Sequence, residues 1–309
     1  MAKYLITGGD GYLAQQVINL LLQGGHQVRA IDVRFDQLCV AMKFRHLLTK
    51  ECFSLSSKKR LLKAFEGVDT CIHLASPTNH SLDYDRQAAA TLDGLHVFYA
   101  AIESNNTPVL FSSTDSVYGA NISNPLFESA QMMPISLMGV HKLSLEYHAR
   151  ILGLTHGLNS TSMRLFNVYG MWRGDWNTDV ISQFCRNALA GQDIIVHGDG
   201  DQIRDFIHVS DAARAFVSAA KNLKLGFSTY NVCTGKATSL NNLIDMISSL
   251  LGSKLTIRYE DKRLGDVYCA VGSNSKIYRD FNFIPRINIS SGLRMVLKDA
   301  GGITLQKAI

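Results

Sequence analysis

The chain has 309 residues, of which 46% are hydrophobic and 18% are charged. This balance is typical of a globular protein with a large core, and it excludes disorder, collagen and low-complexity sequence. The length allows one large domain or two lobes. The formal net charge is only +5, and the longest basic run, at residues 58–60, has no aromatic residues interleaved. We therefore expect no nucleic-acid partner.

Cysteine spacing and the lengths of apolar runs bear on where the protein works. Its six cysteines are scattered, with no C-x-x-C pair and no zinc-type spacing with histidine, so free thiols in a reducing compartment are the simpler interpretation. No stretch approaches the ~18 apolar residues of a membrane span, and the run at Tyr4–Thr7 is too short for a signal peptide. We expect a soluble, cytoplasmic protein with no metal and no membrane partner.

Apolar strands and amphipathic helices alternate along the first half of the chain. In order they are Tyr4–Thr7, Leu13–Gln23, Gln27–Asp32, Arg60–Phe65, Thr70–Leu74, Ala88–Ser104, Val109–Ser113 and Gly139–Leu152. The strands are almost continuously apolar, which indicates a parallel sheet covered by helices on both faces. The alternation becomes irregular after Arg164–Asn167, and helices resume over Asp211–Asn222 and Leu240–Leu251. The pattern predicts an α/β protein with a doubly wound sheet and a smaller C-terminal lobe.

A glycine-rich turn joins the first strand to the first helix. Residues 7–14 read T-G-G-D-G-Y-L-A and contain G-x-G-x-x-A as Gly9, Gly11 and Ala14. Small residues permit a tight turn and close approach of the backbone to a pyrophosphate, and the helix N-terminus offers free N–H groups. The turn therefore predicts a dinucleotide site on a Rossmann sheet.

Asp32 ends the second strand, about twenty residues after the glycines. A carboxylate here accepts hydrogen bonds from the adenosine ribose and repels a 2′-phosphate, which favours NAD over NADP. The nearby Arg34 leaves NADP as the minor alternative. The alternative is a solvated or helix-capping Asp32, and we expect NAD.

Six segments form an ordered series along nearly the whole chain. They are 7–14 (T-G-x-x-G-x-x-A), 69–75 (D-x-x-I-H-L-A), 112–119 (S-S-x-x-x-V-Y-G), 164–170 (R-x-F-N-V-Y-G), 198–211 (G-D-G-x-Q-x-R-D-F-x-H-V-x-D) and 263–266 (R-x-G-D). In this order they resemble the extended short-chain dehydrogenase/reductases, specifically the NAD-dependent nucleotide-sugar epimerases and dehydratases.

The resemblance implies an NAD cofactor and a nucleotide-diphosphate sugar as substrate. The implied cofactor-binding residues are Gly8, Gly9, Gly11, Tyr12, Leu13, Asp32, Leu74, Ala75 and Lys142. The implied substrate-binding residues are His80, Asn167, Arg204 and Arg263. Guanidinium groups suit this substrate, because they offer planar, bidentate donors to a diphosphate.

The same resemblance implies an assembly and a division of the chain. Relatives pair through two helices per subunit into a four-helix bundle, and Ala88–Ser104 and Gly139–Leu152 match those helices, so we expect a homodimer. The order of the motifs assigns residues 1–170 and about 206–233 to an NAD-binding Rossmann domain. Residues 171–205 and 234–309 are assigned to an interwoven α/β lobe that binds the nucleotide sugar.

The catalytic pattern departs from the family at one position. Relatives use a Tyr-x-x-x-Lys pair on one helix face, in which the tyrosine moves a proton and the lysine stabilises tyrosinate and binds the nicotinamide ribose. Here Lys142 is present, but Met138 occupies the tyrosine position. A thioether has no proton to donate, and losing a general base typically removes about 10²–10⁴ in rate. Outside this Tyr-x-x-x-Lys pattern, Thr91 stands where relatives usually have Asn.

Several side chains are candidates for the missing proton carrier. Thr114 matches the family's Ser/Thr and would hydrogen-bond the reacting hydroxyl, and Asp115 follows it. The run 113–116 (S-T-D-S) resembles the S-T-D-E of hexose 4,6-dehydratases, but a serine replaces the glutamate, which puts 4,6-dehydration in doubt. His141 and His80 are further candidates because imidazole titrates near neutrality. An ordinary polar role is the plainer interpretation of either histidine.

Two functional hypotheses follow. The first is an NAD-dependent enzyme that oxidises a ring hydroxyl of a nucleotide sugar, with C4 the expected position, using an atypical base. Epimerisation, dehydrogenation and dehydration other than at C4 and C6 all begin with this oxidation. The second is a catalytically retired protein that binds NAD and a nucleotide sugar without chemistry. The complete arginine set favours turnover, whereas Met138 favours retirement.

Overall fold

The computed structural model describes residues 1–76, 84–120, 123–170, 179–262 and 265–301. The strands are Lys3–Thr7 (β1), Gln27–Asp32 (β2), Leu48–Cys52 (β3), Thr70–His73 (β4), Val109–Thr114 (β5), Ser160–Leu165 (β6), Asn167–Tyr169 (β7), Ile194–His197 (β8), Ile203–Arg204 (β9), Phe206–His208 (β10), Phe227–Val232 (β11), Thr238–Ser239 (β12), Ile257–Glu260 (β13) and Cys269–Ala270 (β14). The α-helices are Tyr12–Gln23 (α1), Lys58–Phe65 (α2), Tyr84–Glu103 (α3), Leu137–His156 (α4), Val180–Leu189 (α5), Val209–Lys221 (α6), Leu240–Leu251 (α7), Ser275–Phe281 (α8) and Ile289–Gly301 (α9). Short 3₁₀ helices cover Met42–Leu47 and Asp115–Val117.

Seven strands form one parallel sheet in the order β11-β6-β5-β4-β1-β2-β3. The register places Thr7 beside Ile31 of β2 and beside His73 of β4, so the carboxyl ends of these strands meet at one edge. The chain runs outward from β1 to β2 and β3 on one side, and from β4 to β11 on the other. Such a switch point is where open α/β sheets bind ligands.

Helices cover both faces of this sheet. Leu5 packs into the core formed with α2, α3 and α4, whereas its neighbours Tyr4 and Ile6 pack into the core formed with α1 and α6. Successive side chains of a strand point to opposite faces, so a strand buried on both faces must be apolar throughout. This geometry explains the apolar runs in the sequence.

A smaller α/β lobe has its own core, formed mainly by α5, α7, α9 and β8. Around it β8 pairs with β13, β9 with β12 and β14, and β7 with β10. Helix α8 packs through Ile277 and Phe281 into the core that α1 and α6 form. The division into an NAD-binding domain and a substrate lobe stays a prediction. The predicted bounds place α8 in the substrate lobe, whereas its packing places it with the NAD-binding domain.

The predicted fold class, an α/β doubly wound sheet, is confirmed. Helix α4 is longer than the predicted Gly139–Leu152, because Ser136 caps its start and Gly157, at φ +73°, ends it. Of the seven strands in the main sheet, β3, β6 and β11 are not predicted by the sequence pattern. β6 reads S-T-S-M-R-L, and Ser160 and Thr161 are fully buried there, so small hydroxyl side chains replace the expected apolar ones.

All six cysteines are free thiols, and three of them are buried. Across the described ranges, no helix combines the length and apolarity of a bilayer span. Within the same ranges, no three His, Cys, Asp or Glu side chains are grouped so that they could hold a metal ion.

Candidate active site

The glycine-rich turn is packed against the ends of two strands. Gly8 has φ +69°, and a Cβ there would lie 2.6 Å from the amide nitrogen of Ala75, just past β4. A Cβ on Gly9 would lie 2.9 Å from the Cβ of Ala30 on β2. The N–H of Gly11 donates to the carbonyl of Gly8 at 3.0 Å and closes the turn. Only residues without a side chain fit these positions.

Helix α1 begins directly after this turn without a cap. Its N-cap residue is Gly11, so no side chain accepts from its first turn, whereas Ser136, Asp179 and Ser239 cap α4, α5 and α7. The first N–H groups of a helix have no partner within the helix, and they attract anions. A glycine-rich turn and an uncapped helix fit the pyrophosphate of NAD, which the backbone of residues 8–13 would hold.

Asp32 is held in place by backbone donors at the end of β2. Its Oδ2 accepts from the N–H of Asp10 at 3.0 Å, and its Oδ1 accepts from the N–H of Val33 at 2.7 Å. Arg34 forms an ion pair with Asp36 at 3.2 Å, and both side chains are more than half exposed. The fixed carboxylate suits a ribose diol, and binding of the ribose by Asp32 stays a prediction.

The other predicted cofactor residues surround the turn. The hydroxyl of Tyr12 donates to the carbonyl of Gly170, and burial raises the pKa of this phenol well above its usual value. Leu13 and Leu74 are half-buried and pack against the core of α1, while Ala75 packs against the opposite core. The structure brings these residues together at the carboxyl edge, and their cofactor contacts stay predictions.

We expect Gly8→Ala to abolish measurable NAD binding and to lower the free energy of unfolding by about 3 kcal/mol or more. The left-handed backbone costs about 1–2 kcal/mol, and the new methyl group overlaps backbone atoms of Leu74 and Ala75 that cannot move freely. Gly25→Ala is the matched control, because Gly25 has φ +73° with no atom within 4 Å of its Cβ position. Urea unfolding and calorimetry with NAD measure both variants. Equal losses in the two would contradict the packing argument.

Thr114 and Asp115 lie where β5 ends and the 3₁₀ turn begins. The hydroxyl of Thr114 lies 3.1 Å from Oδ1 of Asp115, to which it donates, and it accepts from the N–H of Ser116 at 3.2 Å. Burial raises the pKa of Asp115 to about 6, and the hydrogen bond from Thr114 and the charge of Arg204 oppose the rise only in part. A carboxyl group with this pKa can accept and release a proton near neutrality.

Met138 lies in the first turn of α4 and is half-buried. This turn abuts the 3₁₀ turn that carries Asp115, since a Cβ on Gly139 would lie 2.5 Å from the carbonyl oxygen of Ser116. The position that should carry the tyrosine therefore borders the segment that carries a titratable carboxyl group. The thioether itself offers no proton.

Lys142 follows one helical turn after Met138 and is buried. Its ammonium donates to Oγ of Ser112 at 3.3 Å. Burial lowers the pKa of Lys142 to about 8, although the carboxylate of Glu146 acts in the opposite direction. The sequence did not single out Ser112, whose only signal is its place in the S-S-x-x-x-V-Y-G segment.

Two histidines flank this lysine, and both are engaged elsewhere. Nδ1 of His141 lies 2.6 Å from the hydroxyl of Thr91 on α3, and Nδ1 of His73 lies 2.7 Å from the hydroxyl of Thr7. Burial and the nearby Lys142 lower the pKa of His141 to about 4, and that of His73 to about 3. Imidazoles with such low pKa values are weak bases. His141 is therefore a poorer candidate than Asp115 for the proton carrier.

The predicted substrate arginines can be followed only in part. Arg204 forms an ion pair with Asp266, the last residue of the R-x-G-D segment, and donates to the carbonyl of Ile203 at 2.9 Å. Its positive charge also opposes the rise that burial causes in the pKa of Asp115. Two further predicted substrate-binding residues, His80 and Arg263, lie outside the described residues.

Asn167 belongs to a junction between the sheet and the smaller lobe. Its side-chain amide donates to the carbonyl of Asp205 at 3.4 Å. The buried carboxylate of Asp205 accepts from the N–H groups of Thr234 and Gly235, both at 2.8 Å. Burial raises the pKa of Asp205, and these hydrogen bonds oppose it. The junction joins β7, β10 and the loop after β11, and a substrate contact by Asn167 stays a prediction.

The model of the NAD dependent epimerase/dehydratase family matches residues 4–233. The UDP-glucose 4-epimerase of Azospirillum brasilense is 29% identical to this chain over an alignment 317 residues long. The alignment covers 94% of this chain and 89% of the relative. A solved UDP-N-acetylglucosamine 4-epimerase from Methanobrevibacter ruminantium M1, in complex with UDP-N-acetylmuramic acid, superimposes with TM-score 0.87 at 27% identity. The match covers 96% of this chain and 97% of that one. MoeE5, solved with UDP-glucuronic acid and NAD, has TM-score 0.87, 26% identity and coverage of 96% and 98%.

Proposed function

The chain belongs to the NAD-dependent epimerase/dehydratase family, and from that we propose that it oxidises a ring hydroxyl of a nucleotide-diphosphate sugar, with Asp115 in place of the tyrosine. The observation that carries the proposal is the hydrogen-bonded pair of Thr114 and Asp115, whose carboxyl pKa of about 6 results from burial. This pair occupies the end of a central strand, beside the helix turn that carries Met138.

The proposed proton path has two steps. The hydroxyl of Thr114 accepts the proton of the reacting sugar hydroxyl as its own proton passes to Oδ1 of Asp115, 3.1 Å away. NAD, when bound, would supply the acceptor for the hydride of the same sugar carbon. In the reverse direction Asp115 returns the proton through Thr114, so one carboxyl group serves both directions. Epimerisation would require the hydride to return to the opposite face of the oxidised ring carbon, while the proton returns to its oxygen.

Lys142 has a different part in the proposal. A buried ammonium with a single described side-chain hydrogen bond, to Ser112, retains donors that can bind the nicotinamide ribose. Its positive charge also stabilises the alkoxide that begins to form as the proton leaves the sugar. Its pKa of about 8, lowered by burial, keeps it mostly charged at neutral pH.

The relatives and Arg204 support the proposed substrate class. Two of the similar solved structures hold UDP-glucuronic acid and UDP-N-acetylmuramic acid, and Arg204 provides a guanidinium near Asp115. Its ion pair with Asp266 would have to open, or to share its donors, when a diphosphate binds. We propose a UDP-sugar as the first substrate to try.

The experiment is a panel of UDP-sugars added to the purified protein with NAD. We expect absorbance at 340 nm to rise with at least one sugar, or the sugar to change configuration as followed by NMR and mass spectrometry. Absence of both changes, for a sugar that calorimetry shows to bind, would overturn the enzymatic proposal.

Met138→Tyr separates the two hypotheses that the sequence left open. A catalytically retired protein should be inactive as it stands and should gain turnover when the tyrosine is restored beside Lys142. An enzyme that uses Asp115 should be active before the substitution. The same sugar panel, read in parallel for both proteins, distinguishes these results.

We also propose a homodimer that pairs through α3 and α4. Tyr147, Ile151 and Leu154 are exposed and lie three and four residues apart, so they form one stripe along α4. Leu92 and Tyr99 are exposed seven residues apart on the adjacent α3. An exposed apolar surface of this kind marks an interaction site, and a second copy would cover it.

We expect Ile151→Lys to convert the dimer to a monomer, because it buries an unpaired charge in the interface. Leu225→Lys is the matched control, since Leu225 is 89% exposed and lies on the loop before β11. Sedimentation velocity should show the mass halved for the first variant and unchanged for the second. A monomeric parent protein would overturn the proposed dimer.

A further inference from the structure

Asp10 is a buried carboxylate inside the glycine-rich turn, and the dinucleotide motif assigns it no role. Only 3% of it is exposed. Its oxygens accept from three consecutive backbone N–H groups in the loop after β2: Asp36 at 2.9 Å, Gln37 at 2.9 and 3.0 Å, and Leu38 at 2.6 Å. Asp10 therefore ties the turn before α1 to a loop more than twenty-five residues later in the chain.

Three successive N–H groups that converge on one point form an anion-binding nest. Here the anion is a side chain of the protein itself, and it supplies an acceptor for every donor. Asparagine has nearly the same shape but only one acceptor oxygen, and its NH₂ group would face an N–H of the loop. The loop conformation thus depends on the charge and acceptor count of residue 10.

The loop also closes onto the cofactor turn through other contacts. The N–H of Asp10 donates to Asp32 at 3.0 Å, and Asp32 is the residue from which the loop departs. The ring of Phe35 lies 3.1 Å from the Cβ position of Gly9, and Leu38 packs against the core of α1. Turn, carboxylate and loop form one closed ring of contacts at the edge where the adenosine half of a dinucleotide binds.

We propose that Asp10 is a positioning residue that holds loop 33–38 in its closed form, so that the adenosine site of NAD is formed before the cofactor arrives. Without Asp10 the loop has to become ordered during binding. The apparent affinity is then the intrinsic affinity multiplied by the fraction of free molecules whose loop is already ordered. The inference rests on NAD binding and is independent of the sugar and of the catalytic base.

The test is Asp10→Asn, studied by calorimetry with NAD and with ADP-ribose, well below the unfolding temperature. We expect both dissociation constants to rise by the same factor, about 10-fold or more, because ADP-ribose carries the whole adenosine half. Hydrogen exchange of the amides at 36–38 should accelerate while α1 stays protected. Asp69→Asn is the control, since Asp69 accepts a backbone N–H from Lys3 at the opposite end of the sheet.

An Asp10→Asn protein with unchanged ADP-ribose affinity would overturn the proposal, even if its melting temperature fell. So would a loss for NAD without a matching loss for ADP-ribose. Gln37→Pro approaches the same contact from the loop, because it deletes the N–H that both oxygens of Asp10 share. Gln37→Pro keeps the proposal testable if Asp10→Asn does not fold. It should weaken the binding of NAD and of ADP-ribose by the same factor.

Discussion

We expect Asp115→Asn to lower kcat for sugar oxidation by about 10²–10⁴, with KM changed less than tenfold. Asparagine keeps the shape and an acceptor oxygen for the hydroxyl of Thr114, but it cannot take up the proton. Binding of NAD should be unchanged. The measurement is the rate of absorbance change at 340 nm in single-turnover mixtures, with the sugar that the panel identifies.

The pH dependence of the rate tests the same assignment. Asp115 must be ionised to accept the proton, and its pKa is raised by burial to about 6, so the rate should rise as the pH increases through about 6. Lys142 must be protonated, and burial lowers its pKa to about 8, so the rate should fall above about 8. The result is a bell-shaped profile between these values. Asp115→Asn should remove the acid limb and retain the alkaline one.

Asp245→Asn is the control, since it removes the same charge from an exposed position on α7. A profile that keeps its acid limb in Asp115→Asn would contradict the assignment. Another titratable group near Lys142 would then be the proton acceptor. A loss confined to KM would indicate that Asp115 binds the sugar without moving its proton.

Local patterns predicted much of the fold and the tight glycine-rich turn after β1. The glycine turn at 8–11 could be identified because its chemistry is local, and the structure shows the close backbone approach that excludes side chains. Asp32 could be placed from a spacing within one βαβ unit. Met138 could be assigned to the tyrosine position because it lies four residues before Lys142 on the same helix. Each of these inferences joins residues that are close in the chain.

What the sequence did not predict depends on residues far apart in the chain. Asp10 occupies a variable position of the motif, and its role depends on the loop at 36–38, which folds onto it. The raised pKa of Asp115 arises from burial and from its neighbours in the folded chain, which no spacing shows. β6 was missed because its hydroxyl side chains read as a loop, although the neighbouring strands and helices bury them. One of those helices, α4, supplies a partner to this strand.

That partner is Glu146, which forms a buried ion pair with Arg164 of β6. The pair is bidentate, with Nε to Oε1 at 3.0 Å and Nη2 to Oε2 at 2.6 Å, and each side chain is only 3% exposed. Ser162 also donates to Glu146, at 2.8 Å. Arg164 reaches further, to the hydroxyl of Tyr118 at 2.8 Å and the carbonyl of Glu128 at 3.2 Å. Burial alone would lower the pKa of Arg164, but the Glu146 carboxylate more than offsets it.

We expect Glu146→Gln to lower the free energy of unfolding by about 3–5 kcal/mol, because it leaves the guanidinium of Arg164 buried without a counter-charge. Urea unfolding monitored by circular dichroism measures this loss. Glu51→Gln is the matched control, since Glu51 pairs with Arg29 at 3.2 Å but both side chains are partly exposed. Solvent screens that pair, and we expect it to contribute less than about 1 kcal/mol.

A double variant distinguishes the charge from the packing in this prediction. Glu146→Leu combined with Arg164→Met removes both charges and keeps much of the volume, so we expect it to be more stable than either single substitution. A double variant as unstable as the sum of the two would contradict this account. In that case the hydrogen bonds from Arg164 to Tyr118 and Glu128, which fasten the segment leading to Met138, would carry the stability instead of the ion pair.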